Sequence, residues 1–68
     1  MEVKSAPEAT KIAETFVKKH RFFSRLIKAV RRDDIWYVEI DVGGVITSVA
    51  TVNIDAKSGD ILEYMFPE

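Results

Sequence analysis

One histidine, His20, and no cysteine stand in this chain of 68 residues, so nucleophilic and metal chemistry have few places to start. His20 has Ser24 four residues on, and Asp33 or Asp34 could orient its ring, which is a base, nucleophile and acid by residue type. The stretch around Ser24 lacks the glycine-flanked strand–turn–helix pattern that exposes a catalytic serine. A histidine meeting the last carbonyls of a helix explains His20 more simply. Asp33-Asp34 could serve as an acid–base pair. Successive residues of a tight turn lie in water, however, unlike the enclosed carboxyls that do such work. The run Asp55-Ala56-Lys57-Ser58-Gly59-Asp60 invites a calcium loop, but Lys57 takes a ligand position and no distant bidentate acid follows. It reads as a hairpin turn. Catalytic residues, metal and cofactor are all expected to be none.

Charge is the more unusual chemistry. Lys18, Lys19, Arg21, Arg25, Lys28, Arg31 and Arg32 form a segment without an acid, while all eleven acids and three bases lie elsewhere. The net charge of −1 hides this division. Such a segment could hold nucleic acid or another polyanion, with Phe22 and Phe23 as stacking groups. The plainer reading, and the favoured one, is a solvated segment that pairs with acidic strands of its own fold, for instance Lys28 with Glu39.

Composition limits the classes further. At 47% apolar the chain folds rather than staying disordered. A single core of this size is thin, and without disulfide or metal it relies on packing, surface charge or self-association. The longest uncharged stretch, Val42 to Ile54, is rich in Gly, Ser and Thr, so no membrane span is expected. Charged residues reach 31%, there is no Gln, and Asn53 is the one Asn, a bias reported for hyperthermophile proteins. Met1-Glu2-Val3-Lys4 does not look like a leader. The expected place is the cytoplasm if the chain is full length, and outside it if a leader was removed.

The elements that must position these groups are legible in part. Ser5-Ala6-Pro7-Glu8 is a capping box, and Ala9, Ile12, Ala13, Phe16 and Val17 then follow at helical spacing. The spacing predicts a helix over 6–20. Residues 35–42 alternate, with Trp36, Val38, Ile40 and Val42 on one face. A three-residue loop, Gly43 to Val45, would set Ile40 opposite Ser48, Val38 opposite Ala50 and Trp36 opposite Val52. That register gathers Val42, Ile46, Ala50, Val52 and Ile54 on the Trp36 face. A second loop, Lys57-Ser58-Gly59 with Gly59 left-handed, sets Ile54 against Leu62 and Val52 against Tyr64. Residues 21–32 fit a helix or an edge strand, and a strand at about 26–32 is favoured because it covers more of the sheet. The expected fold is one α+β domain over 1–68, an N-terminal helix on a three- to four-stranded antiparallel sheet. Its core is the helix stripe against Trp36, Val38, Ile40, Ala50, Val52, Ile54, Leu62, Tyr64 and Phe66.

Taken together, Ile12-Ala13 with Phe16, the strand Trp36-Tyr37-Val38-Glu39-Ile40 and the run Val52-Asn53-Ile54-Asp55-Ala56-Lys57-Ser58-Gly59-Asp60-Ile61-Leu62 resemble a PepSY domain. The resemblance covers nearly the whole chain. It implies a helix packed on an antiparallel sheet, no catalytic residues, and a role in inhibiting or regulating a peptidase.

One helix covers one face. The expected register leaves Tyr37, Val45, Thr47, Val49 and Thr51 on the other, an open patch that suits a protein partner or a second copy, or equally a β-branched surface kept for its strand propensity. The sequence therefore points to a non-enzymatic protein-binding or regulatory module. The alternative is an anion- or nucleic-acid-binding protein using the basic segment 18–32.

Overall fold

The computed structural model describes residues 2–20, 23–43 and 45–67. Helix α1 spans Ala6–Lys18 and is followed by β1 (Arg25–Arg32), β2 (Ile35–Asp41), β3 (Val49–Asp55) and β4 (Ile61–Met65). The four strands form one antiparallel sheet in chain order, and α1 lies across β1, β2 and β3. The fold is α+β, with the helix on one face of the sheet. Among the described residues no helix is long and apolar enough to cross a membrane.

The capping box forms as the sequence implies. The Ser5 hydroxyl accepts from the Glu8 amide at 3.4 Å and donates to the Glu8 carboxylate at 3.1 Å. Pro7 sits in the first turn, where no amide hydrogen is needed. The helix ends at Lys18 rather than His20, since the amides of Lys19 and His20 close a final turn onto Phe16 and Val17. Ala9, Ala13 and Val17 are fully buried, with Ile12 and Phe16 partly so.

The β2–β3 hairpin corrects the expected register. Ile40 lies opposite Ala50, Val38 opposite Val52 and Trp36 opposite Ile54, two residues beyond the expected partners. An even slip keeps every side chain on its face, so the core of this hairpin survives. The cause is a longer connection over residues 42–48. Its base is held by the Asp41 carboxylate, which accepts from the amides of Gly43 at 2.9 Å and Ser48 at 3.2 Å. Ile46, expected inside, is exposed on this loop, and Val42 is half-buried.

The β3–β4 hairpin keeps Val52 opposite Tyr64, but Ile54 meets Ile61 instead of Leu62. Leu62 is an extra residue in β4, a bulge that turns its side chain out. Ile27 is the matching extra residue in β1. Gly59 takes φ 82°, as its turn requires. Leu62 and Tyr64, both expected in the core, are exposed, because the backbone of α1 lies over β1, β2 and β3 and reaches β4 through the Phe16 ring. Tyr64 instead sets its ring edge-on to Phe16 at 4.8 Å.

Two core residues have no counterpart in the sequence pattern. Val3, in the extended segment before α1, is fully buried, and so is Ala56 in the β3–β4 turn. They are joined by the Val3 amide donating to the Ala56 carbonyl at 2.6 Å.

Candidate functional site on the open sheet face

The groups with catalytic types do not assemble. The His20 ring packs edge-on against Phe16 at 5.2 Å and lies 5.5 Å from Phe66, and no hydrogen bond joins it to Ser24, Asp33 or Asp34 among the described residues. Asp34 is taken by Arg31 at 3.4 Å and by Lys57 at 3.4 Å. In the 55–60 turn the Asp55 carboxylate accepts from the Lys57 amide at 2.8 Å. That is a self-satisfied turn. No three metal-ligating side chains come together among the described residues.

The basic segment is distributed rather than gathered. Lys18 and Lys19 lie at the end of α1, whereas Arg25, Lys28, Arg31 and Arg32 lie on β1. Arg21 and Phe22 fall outside the described residues. Three of the β1 cations meet acids of their own fold. Arg25 reaches Asp41 at 3.3 Å, Lys28 reaches Glu39 at 3.1 Å across the strand pair, and Arg31 reaches Asp34. Arg32 has no acidic partner among the described residues.

Asp41 illustrates how a charge is accommodated here. Its side chain is buried, and the amides of Gly43 and Ser48 hold its carboxyl below the usual value, helped by Arg25 and opposed by desolvation.

The face away from α1 is built by strand alternation. Lys28, Val30 and Arg32 of β1 stand beside Ile35, Tyr37 and Glu39 of β2, then Thr51 and Asn53 of β3, then Glu63 and Met65 of β4. Of the five residues expected on this face, Tyr37, Val49 and Thr51 are strand residues of β2 and β3. Val45 and Thr47 are not part of the sheet: both are exposed in the 42–48 loop, which the longer hairpin connection removes from β3. A shallow cleft of about 270 Å³ opens among Lys28, Val30, Arg32, Tyr37 and Glu39. The sequence pattern missed Val30, Asn53, Glu63 and Met65. Alternation across all four strands would have found them once β1 and β4 were fixed.

Set against family models, curated proteins and solved structures, the chain matches none of them.

Proposed function

We propose that the chain is a non-enzymatic protein-binding module of the PepSY type, which recognises another protein chain through the open sheet face. One observation carries this reading. Among the described residues the sheet has its helix on one side only, and the other side sets Val30, Tyr37, Val49 and Met65 among polar neighbours with no layer over them. Val30 and Val49 are exposed, and Met65 is 67% exposed. An antiparallel sheet facing only water would more often be polar on that side. The resemblance to peptidase propeptide domains makes a peptidase the first partner to try, as its inhibitor or regulator.

Affinity capture tests the reading. The immobilised chain should retain a partner that a Tyr37→Asp/Thr51→Lys variant loses and that Lys11→Glu, on the outer side of α1, keeps. Identical capture by all three would overturn it. The polyanion alternative has fewer free charges available, because Arg25, Lys28 and Arg31 are already paired. A mobility shift at low salt that fades steeply as salt rises would favour it instead.

A further inference from the structure

Charge on the open face is ordered across the sheet. Cross-strand partners place Val30, Tyr37, Asn53 and Glu63 on one line from β1 to β4. At the β1 end, Val30 is flanked by Lys28 and Arg32, and at the β4 end stands Glu63. Neither Arg32 nor Glu63 has an ion-pair partner among the described residues. One side of the face is therefore positive and the other negative.

We propose that this face is the contact surface of a two-fold homodimer whose axis lies between the two sheets and runs parallel to the strands. The inference rests on reading the face as a protein-binding surface, and it names the partner as a second copy. A two-fold axis between two packed sheets can run across the strands or along them. Across the strands at the level of Val30, it lays β1 on β1 and sets Lys28 against Arg32 of the second copy, and Arg32 against its Lys28, like charge on like. Along the strands, it lays β1 on β4. Glu63 of the second copy then comes down over Val30, between Lys28 and Arg32, at the mouth of the cleft these residues line. The symmetry makes the same contact twice.

The middle of the line fits as well. Tyr37 falls over Asn53 of the second copy, and the Asn53 Oδ1 is buried with no hydrogen-bond partner among the described residues. The Tyr37 hydroxyl supplies the missing donor once the amide turns toward it. Four strands at about 4.8 Å spacing and some six residues long cover roughly 400 Å². That is about half of the ~800 Å² per partner of a standard interface, which places the dimer in the weak, transient class.

Sedimentation equilibrium of the purified chain, from about 10 µM to about 1 mM at low salt, reads the outcome. A monomer–dimer equilibrium is expected, weakened several-fold when salt is raised to about 0.5 M. Arg32→Glu and Glu63→Lys should each weaken it about tenfold or more by placing like charges together. The double variant Arg32→Glu/Glu63→Lys should restore it, because both contacts are reversed together. Circular dichroism checks that each variant is folded. A chain that stays monomeric at about 1 mM overturns the dimer, and a double variant that is not rescued overturns the axis. Both readouts use the pure chain, so failure here is distinguishable from failure of the capture experiment.

Discussion

The indole Nε1–H of Trp36 donates to the carbonyl oxygen of Val3 at 2.9 Å, a bond buried beneath the helix layer. It ties the segment before α1 to the centre of the sheet, where the Val3 amide also binds Ala56. Trp36→Phe keeps an aromatic ring but leaves the Val3 oxygen without its donor. The variant should lose roughly 1–3 kcal/mol of stability in urea unfolding, the cost of an unpaired buried acceptor. A loss under about 0.5 kcal/mol would mean the bond is replaced by water.

Asp41 should govern the acid limb of stability. Its carboxyl is lowered by the Gly43 and Ser48 amides, so the folded state binds its proton less readily than the unfolded chain. The stabilisation is therefore complete above the ordinary carboxylate range and disappears as pH falls through the lowered value. Asp41→Asn should reduce stability at pH 7 and flatten the decline as pH falls through and below the ordinary carboxylate range. Melting temperatures measured across that range give the comparison, and an unchanged slope would refute the assignment.

Gly43 is required by contact rather than by backbone angle. A Cβ built there would lie 1.7 Å from the Ile46 carbonyl oxygen and 2.8 Å from the Ser48 amide nitrogen. Gly43→Ala should force the 42–48 loop off the Asp41 carboxylate and cost roughly 1–3 kcal/mol, as overpacking does. Amide exchange at Ser48 should rise at the same time. Retained protection there would count against the idea.

Asp33 takes φ 56° in the turn between β1 and β2. Asp and Asn tolerate that left-handed conformation, while a β-branched residue does not. Asp33→Val should destabilise by about 1–2 kcal/mol, with Asp33→Asn close to neutral. Thermal unfolding of both variants decides the matter, and equal losses would exclude a backbone cause.

Local chemistry made α1 and the β-strand alternation legible. Ser5 and Glu8 announced the helix start, and the Trp36, Val38 and Ile40 spacing announced a half-buried strand. Face survived a wrong register because the slip was even. What stayed hidden depends on contacts between distant residues. The Asp41 carboxylate lengthens the β2–β3 loop by binding Ser48, seven residues away, and that removes Val45 and Thr47 from the open face. Val3 is buried only because Trp36 and Ala56 receive it, which no periodicity in residues 1–5 could reveal. Lys28 with Glu39 was foreseeable as a cross-strand pair, whereas Arg25 with Asp41 needed the bulge in β1.

The two extra residues, Ile27 and Leu62, occur one in each outer strand. An outermost strand with an unbroken row of amides and carbonyls is a template on which a further chain can be laid, which is how fibres lengthen. Here each template is interrupted by one residue of surplus backbone, so an incoming strand loses its match partway along. Arg32, the β1 cation without an acidic partner among the described residues, adds like-charge repulsion against a second β1. Apolar side chains can therefore stand exposed on both flanks while the sheet still stops at its fourth strand.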